Sequence, residues 1–539
     1  MKISIKKVFF ILILAVALII LSAPTLFVSQ TDSINPKAIN NSYQNYGVGG
    51  KIMDTVQTNT VSAAPINKKG NANYYNDKNG EYYADAKFRV KANDNTSYLV
   101  SLLNSGETVN LPAGNYLCRT NLVLKNRHLT ITGVPGKTKI VFDSKNFVLN
   151  NTITFREGFI INESYYSEYK DNTAQDISIS GVTFEYKRFS SNSPKTILLF
   201  KNIKKADISN CSFIADLPNK IDVTNIDLYN GCKNVTISDC FFSNRTKASS
   251  GGCIWVRNLT ASKVRVNGNL TENIIINKCS FDKDSKDEVI AVYSSVGDVK
   301  DVTISDCSIN DYSDDQEIVL SAYSSEDRYY GIVENVTIHN NDIYSKNFNA
   351  FVIMIGVENR TKPASNITIA NNKIVTDSTN SNRKITIYNS TNNKNGNVVL
   401  NNNVINAASG SYYVAIANAT ASVGNTVTGN FENGIVGGTV INNTIIGAIN
   451  GIVTPDFALN NKISQGKFGV RVYSNSDSMI TKNVIELDKS IGVSGIDIPS
   501  QGYVTVLNNT IYTLTANQTG ITAKSPNTIL SGNNTISMG

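Results

Sequence analysis

The most constraining feature of the sequence is a short phrase that recurs down most of the chain. Its clearest copy is Asn-Val-Thr-Ile-Ser-Asp-Cys-Phe-Phe at residues 234–242. Val235 and Ile237 alternate with polar neighbours, which is typical of a half-buried strand. Ser238 and Asp239 favour a turn, after which apolar residues resume. The phrase therefore predicts a strand, a sharp polar corner and the start of a second strand.

The corner residue of each copy forms a column when the copies are aligned. The clear copies give Cys211, Cys240, Cys279, Cys307, Asn341, Asn372 and Asn403, and weaker ones give Asn443, Asn461, Asn483, Asn509 and Asn534. The spacing drifts while the strand–corner–strand core stays fixed, which favours a solenoid of about a dozen coils.

We expect the corner column to be structural. Asn tolerates left-handed backbone angles at a sharp corner, and stacked amides hydrogen-bond from coil to coil. The cysteines of the column are expected to be small buried thiols. Coils stack closely enough for a Cys211–Cys240 or a Cys279–Cys307 disulfide, which is the alternative.

The N-terminus predicts export. Residues 1–29 contain Lys2, Lys6 and Lys7 followed by an unbroken apolar run, which fits a signal peptide or a membrane anchor. The rest of the chain would then lie outside the cell, at its surface, and an uncleaved leader would add the membrane as a partner. The polar residues 30–92 are predicted to be a linker. The net charge of +7 is spread along the 539 residues, which argues against nucleic acid as a partner.

Residues 93–539 resemble a known fold family. A short helical pattern around Tyr98–Leu103 precedes Val109–Tyr116, Leu122–Leu124 and Leu129–Gly133, and this order is similar to the opening of pectin-lyase-like proteins. The resemblance implies an all-β, right-handed parallel β-helix with an N-terminal cap helix. That class holds lyases, hydrolases, epimerases, phage spikes and non-catalytic surface proteins. With its leader and Asn-rich coils, the chain most resembles the adhesin-like surface proteins of methane-producing archaea.

The strand upstream of each phrase has its own columns. Its second and fourth residues are aliphatic, so its third and fifth residues should point outward. The third-place column is Asp227, Trp255, Ala291, Ser321, Thr386, Ala415, Arg471, Asp497 and Thr522. Its acidic residues are about ten coils apart, whereas sugar hydrolysis needs two carboxyls within roughly 10 Å. The column therefore predicts no catalytic residue.

The fifth-place column is rich in tyrosine. It contains Tyr229, Arg257, Tyr293, Tyr323, Tyr388 and Tyr473, and Trp255 lies beside Arg257. Aromatic side chains spaced along a flat sheet suit stacking on sugar rings, which makes these seven residues candidate glycan-binding residues. The competing interpretation is that Tyr simply has a high β-propensity.

Two acidic loops are the main evidence for metal binding or catalysis. One group is Asp282, Asp284, Asp287 and Glu288, and the other is Asp311, Asp314, Asp315 and Glu317. The second group is a candidate for Ca²⁺ binding or acid–base chemistry, although the Asp-x-Asp-x-Asp-Gly pattern of a calcium loop is missing. Solvated loop carboxylates are the ordinary interpretation. His128 and His339 have no catalytic setting.

Three functions stay open at this point. The first is a non-catalytic, adhesin-like surface protein that binds glycan or cell-wall polymer along an elongated face, with no cofactor. The second is a polysaccharide lyase or glycoside hydrolase that uses the acidic loops near Asp311–Glu317. The third is a structural spacer without a ligand.

Overall fold

A computed structural model describes the chain from residue 75 onward, with gaps. It covers residues 75–76, 82–85, 90–91, 95–105, 107–118, 122–124, 128–143, 151–156, 176–188, 195–215, 223–245, 252–258, 270–284, 287–294, 297–312, 316–322, 331–346, 351–356, 364–377, 384–390, 396–473, 477–499 and 502–538. The predicted leader, residues 1–29, lies outside this part. Within it, no helix is long and apolar enough to cross a membrane.

Three short strands lie inside the segment predicted as a linker. They are β1 (Tyr75–Asn76), β2 (Tyr82–Asp85) and β3 (Val90–Lys91), and they pair antiparallel. Helix α1 (Thr96–Ser105) follows. Its Leu99 and Leu103 are fully buried in the core of the solenoid, and Asn95 at its start accepts a hydrogen bond from the backbone of Leu117 at 3.0 Å. The helix therefore covers the first coil, as a cap helix does.

Three long parallel sheets form the rest of the described chain. Sheet I holds the strand of the recurring phrase that precedes the corner. Its members, in spatial order, are β4 (Thr108–Asn110), β7 (His128–Thr132), β10 (Asp176–Ser180), β13 (Lys205–Ser209), β16 (Lys233–Ser238), β19 (Thr271–Asn277), β22 (Val299–Ser305), β25 (Val333–His339), β28 (Ser365–Ala370), β31 (Val398–Asn401), β34 (Ala421–Val423), β37 (Thr439–Ile441), β40 (Phe457–Leu459), β43 (Ser478–Thr481), β46 (Val504–Leu507) and β49 (Thr528–Ser531).

Sheet II holds the strand that follows the corner. It consists of β5 (Gly114–Cys118), β8 (Thr138–Asp143), β11 (Thr183–Arg188), β14 (Ser212–Ile214), β17 (Phe241–Asn244), β20 (Ser280–Lys283), β23 (Ser308–Asp311), β26 (Asp342–Lys346), β29 (Lys373–Asp377), β32 (Val404–Ser409), β35 (Thr426–Thr428), β38 (Thr444–Ile446), β41 (Lys462–Gly466), β44 (Val484–Leu487), β47 (Thr510–Thr513) and β50 (Thr535–Met538).

Sheet III holds the strand that precedes each phrase. It consists of β6 (Leu122–Leu124), β9 (Asn151–Arg156), β12 (Lys195–Lys201), β15 (Val223–Tyr229), β18 (Ile254–Asn258), β21 (Ile290–Ser294), β24 (Ile318–Ala322), β27 (Phe351–Ile355), β30 (Ile385–Asn389), β33 (Tyr412–Ala417), β36 (Phe431–Val436), β39 (Asn450–Val453), β42 (Phe468–Arg471), β45 (Ser494–Ile498) and β48 (Thr519–Ala523).

Every third strand is hydrogen-bonded to the next in the same sheet, so the chain winds through sheets I, II and III in turn. The prediction of an all-β, right-handed parallel β-helix with a cap helix is confirmed. Sheets I and II have sixteen strands each within the described residues, which is more than the dozen coils expected. At about 4.8 Å per coil the described solenoid is roughly 70 Å long.

Like residues lie on top of one another inside the solenoid. Phe184, Phe213, Phe242 and Phe281 form one such column, with ring centroids 5.2, 4.9 and 4.9 Å apart and nearly parallel planes. All four are fully buried. Because parallel strands in register place identical positions on adjacent coils, the repeat in sequence becomes a continuous apolar core.

The corner column also stacks, but one expected reason for it is wrong. The left-handed residue is the one before the column residue, for example Asp239 with φ 51°, Asn340 with φ 57° and Asn402 with φ 52°. The column asparagines are buried apart from Asn534, which is half-buried. Each accepts hydrogen bonds from the previous coil, as when Asn372 Oδ1 accepts from the backbone and side chain of Asn341 at 3.0 and 2.9 Å. Amide stacking, rather than backbone conformation, explains Asn at these positions.

The cysteine part of the column contains thiols in the structure. Cys211, Cys240, Cys279 and Cys307 are buried and unlinked, and each thiol points at backbone carbonyls, as Cys240 does toward Ser238 at 3.1 Å. The disulfides considered as an alternative are not formed here.

Candidate functional site

The outer face of sheet III is the surface on which the sequence placed its candidate residues. Register along the sheet fixes the true third-place column, which is Asp227, Trp255, Ala291, Val319, Met354, Tyr388, Ala417, Val436, Val453, Arg471, Asp497 and Thr522. Ser321, Thr386 and Ala415 were expected in this column and are not in it. All three are buried. Each was aligned two residues away from the true position, which Val319, Tyr388 and Ala417 occupy instead.

The two aspartates of this column are far apart, as expected. Asp227 lies on β15 and Asp497 on β45, which are ten strand steps from each other. At the spacing of adjacent coils this is on the order of 48 Å. The two carboxylates cannot act on one glycosidic bond, since that chemistry needs them within roughly 10 Å.

The tyrosine column is shorter than predicted. Tyr229, Arg257 and Tyr293 follow one another on adjacent coils, and the next residue in register is Ser321. The expected neighbour, Tyr323, lies outside the described residues, two positions beyond Ser321. Tyr388 belongs to the third-place column, where it stacks on Phe351 with ring centroids 4.7 Å apart.

Three of the candidate residues, Tyr229, Trp255 and Arg257, form a cluster with Asp227, which we call the Trp255 cluster. The Arg257 side chain binds the Asp227 carboxylate through two nitrogens, Nε at 2.9 Å and Nη2 at 2.5 Å. Its guanidinium carbon lies 4.6 Å from the Trp255 ring centroid and 5.2 Å from that of Tyr229. The Asp227 side chain is 2% exposed and that of Arg257 is 22% exposed. The guanidinium is therefore fixed between two aromatic faces and still reaches solvent.

The indole of Trp255 packs closely over the backbone. A Cβ on Gly252 would lie 2.3 Å from Trp255 Nε1, so only glycine fits beneath the ring. Nε1 is buried and has no hydrogen-bond partner among the described residues. A buried indole N–H without an acceptor costs free energy.

Glu288 lies on the same side of the solenoid as the Trp255 cluster. The sequence assigns it only to an acidic loop. Its carboxyl receives a hydrogen bond from the Tyr293 hydroxyl, and only 8% of the residue is exposed. Burial, helped by the negative charge of Asp287, raises the pKa of Glu288 to about 8. The carboxyl is therefore mostly protonated at neutral pH. The sequence places Glu288 among solvated loop carboxylates, so its burial was not expected.

A second cluster of the same kind lies eight strands further along sheet III. This Arg471 cluster consists of Phe468, Arg471, Tyr473 and Asp497. The Arg471 guanidinium carbon is 4.1 Å from the Phe468 ring centroid and 4.5 Å from that of Tyr473, and Nε forms an ion pair with Asp497 at 2.8 Å. Tyr473 is 51% exposed. Both clusters therefore present an arginine held between aromatic rings by an aspartate.

The acidic residues near Asp311 are not where a solvated calcium loop would place them. Asp311 and Glu317 are 0% and 1% exposed, and Lys283 lies 3.4 Å from the Asp311 carboxylate. Their description as exposed loop carboxylates is wrong, because both side chains point into the solenoid. Asp314 and Asp315 lie outside the described residues. Within the described part no three His, Cys, Asp or Glu side chains are gathered as metal ligands would be.

The two histidines lie apart from both clusters. His128 forms a surface pair with Asp176 at 3.2 Å on sheet I. His339 ends β25 and lies in register with Ser305 and Ala370 on the same sheet.

Comparison with known proteins gives distant structural matches. No family profile matches the chain, and neither does any curated protein. Solved structures that resemble it include the Streptococcus pneumoniae surface protein and adhesin PfbA (14% identity, 80% of this chain and 96% of that one, TM-score 0.43) and a tailspike mutant of Escherichia coli bacteriophage HK620 in complex with pentasaccharide (13%, 83% and 79%, TM-score 0.46). A third is the A-module of Azotobacter vinelandii mannuronan C-5 epimerase AlgE4 (12%, 82% and 96%, TM-score 0.36).

Identity this low concerns the fold alone and carries no activity from one protein to another. None of these structures is an archaeal surface protein by its description, so that resemblance stays a prediction.

Proposed function

We propose that this protein binds glycan or cell-wall polymer at the cell surface, with the outer face of sheet III as its binding surface. The Trp255 cluster carries the proposal. It combines a half-buried indole, a tyrosine ring and a solvent-reaching guanidinium that Asp227 holds in place. Sugars are bound by such sets, because aromatic faces contact the C–H face of the ring while fixed polar groups bind its hydroxyls.

The Arg471 cluster supports an elongated ligand. It repeats the same combination of groups at the same sheet, about 40 Å away at the coil spacing. A polymer that lies along the solenoid axis would reach both clusters, whereas a single sugar would reach one. The predicted export leader supports this proposal, since export would bring the surface outside the cell, where polymers of this kind occur.

A glycan array tests the proposal first. Each glycan that the intact protein binds on the array is then titrated by calorimetry. Trp255→Ala and Arg257→Ala should each weaken binding about tenfold or more, since each removes a buried contact. Tyr512→Ala is the matched control, because Tyr512 is a 38% exposed aromatic residue on sheet II. Loss of binding in the control alone, or equal binding in all variants, would contradict the assignment of the surface.

Glu288 favours one alternative, a polysaccharide lyase or hydrolase on the same face. A carboxyl with a pKa of about 8, hydrogen-bonded to Tyr293, is a suitable proton donor at neutral pH. The array hits should therefore also be assayed for product formation. Turnover that is lost in Glu288→Gln would establish the enzyme, while binding without turnover supports the adhesin-like function. If the protein neither binds nor turns over any glycan, the structural spacer is the function that remains.

A further inference from the structure

One column of residues inside the solenoid is polar instead of apolar. It runs along the inner side of sheet II near the ends of the strands, through Asn244, Lys283, Asp311 and Ser345 on four adjacent coils. All four side chains are fully buried. A lysine and an aspartate in this position are unusual, because burying a charge in a β-helix core is unfavourable even when it is paired.

Lys283 and Asp311 are direct neighbours in this column. Their backbones pair in register, and Lys283 Nζ lies 3.4 Å from Asp311 Oδ2 with neither side chain exposed to solvent. The nitrogen that would attack therefore already contacts an oxygen of the carboxyl group whose carbon it would attack. Because neither side chain reaches bulk solvent, the two groups face each other directly in the core.

Glu317 is the third buried group near this pair. It lies just before β24, on the coil that also contains Asp311. Its backbone N–H and C=O pair with the strands above and below, and its side chain is 1% exposed. Neither carboxyl oxygen has a hydrogen-bond partner among the described residues. Burial raises the pKa of Glu317 well above its usual value, and the negative charge of Asp311 raises it further, while Ser345 and Lys283 act in the opposite direction. Glu317 therefore holds its proton more tightly than an exposed glutamate does, and it lies near enough to Asp311 and Lys283 to be affected by their charges.

From this geometry we infer that Lys283 and Asp311 condense into an intramolecular amide bond, with Glu317 as the proton carrier. The lysine is the nucleophile, the aspartate carboxyl is the electrophile, and no external co-reactant is needed.

The reaction balances within these three side chains. A proton passes from the Lys283 ammonium to the Asp311 carboxylate, which leaves a neutral amine and a neutral acid. Nζ then attacks Cγ of Asp311. Glu317 donates its proton to the departing hydroxyl and takes one from the nitrogen, so that one C–N bond forms, one C–O bond breaks and one water leaves. No atom is oxidised or reduced, and Glu317 ends in the protonation state in which it began.

The amide product would be more compatible with the buried core than the charged pair is. It replaces two buried charges by one neutral amide, which removes most of the desolvation cost of the pair. It also joins β20 to β23 covalently, so that these two coils cannot separate when the solenoid is pulled along its axis. This inference does not depend on the proposed glycan-binding function.

Peptide mapping of the purified full chain tests the inference directly. Trypsin should fail to cleave after Lys283, and the peptide that contains Lys283 should be recovered joined to the peptide that contains Asp311, with a combined mass lower by one water. The Lys233–Glu272 pair provides an internal control. It also lies on adjacent coils, at 2.7 Å, but its side chains are about one-third exposed, so its peptides should be recovered separately.

Variants separate the chemistry from folding. Asp311→Ala should abolish the linked peptide, and Glu317→Gln should abolish it or reduce it at least tenfold while the circular dichroism spectrum stays that of the β-helix. Recovery of the Lys283 and Asp311 peptides only as separate species from the folded wild-type protein would overturn the inference. A full yield of linked peptide in folded Glu317→Gln would overturn the role of Glu317.

Discussion

Asn443 donates a hydrogen bond from Nδ2 to Oδ1 of Asn461, 3.0 Å away on the next coil, and the backbone N–H of Asn443 donates to the same oxygen at 2.9 Å. The pattern repeats without interruption from Asn341 to Asn534. Each amide satisfies the donors of the coil before it. Removing one amide therefore disturbs two coils.

Asn443→Ala should lower the stability of the solenoid by about 2–4 kcal/mol, because it leaves buried donors of Asn425 without an acceptor. Asn442→Gly is the control. Asn442 precedes the column, is exposed and has φ 56°, which glycine adopts freely. Thermal melting of both variants checks the prediction, and a smaller loss for Asn443→Ala than for Asn442→Gly would contradict it.

Phe242→Ala should cost about 3–5 kcal/mol, since the ring is fully buried between Phe213 and Phe281 and the cavity can close only in part. Phe241→Ala is the matched control, because the adjacent ring points outward and is 39% exposed. Hydrogen exchange of β14, β17 and β20 reports the effect locally. Equal protection in the two variants would show that the alternation of this strand has been misassigned.

Stability should fall as the pH rises through the pKa of Glu288. The folded-state pKa is about 8, above the value of about 4.3 that is typical of an unfolded chain. The folded protein therefore holds this proton more tightly, and the contribution is fully present below the unfolded pKa and lost between about pH 4.5 and 8. Melting temperatures of the wild type and Glu288→Gln at pH 5 and pH 9 measure it. The variant should lose less stability over this range, and parallel profiles would refute the prediction.

Affinity should rise with the length of the glycan. Oligosaccharides longer than about 40 Å can reach both clusters, and the second contact then forms at high effective concentration, which strengthens binding at least about tenfold. Arg471→Ala should bring the affinity for long oligosaccharides down to that for short ones and leave the short ones unaffected. Titration of a length series checks this. A uniform loss at every length would mean that the Arg471 cluster is part of a single site.

The fold was predictable because its signal is periodic. The alternation within each phrase and its recurrence specify the sheets, and the family resemblance supplies the cap helix. One coil was missed between Asn403 and Asn443. Its sheet I strand, Ala421–Val423, has small residues in place of the usual aliphatics. Asn425 was therefore not recognised as a residue of the corner column, although it takes part in the same hydrogen bonds. The three coils before Cys211 carry no Cys or Asn at the corner.

The site was predictable only in part. Ile318, Val319 and Leu320 are consecutive aliphatics, so the sequence fits two registers and the wrong one placed Tyr323 opposite Tyr293. In β27 both Val352 and Ile353 are buried, which breaks strict alternation and moves Tyr388 to another column. The burial of Lys283, Asp311 and Glu317 was not predictable, because charged residues are almost always exposed and only three-dimensional contacts show the exception.

The central claim, that the outer face of sheet III binds the ligand, is tested most directly by the fluorescence of Trp255. It is the single tryptophan of the 539-residue chain, so the emission reports on this cluster alone. On titration with a glycan that the protein retains, the emission should shift and saturate with the same dissociation constant that calorimetry gives. Binding measured by calorimetry without any change in emission would contradict the claim.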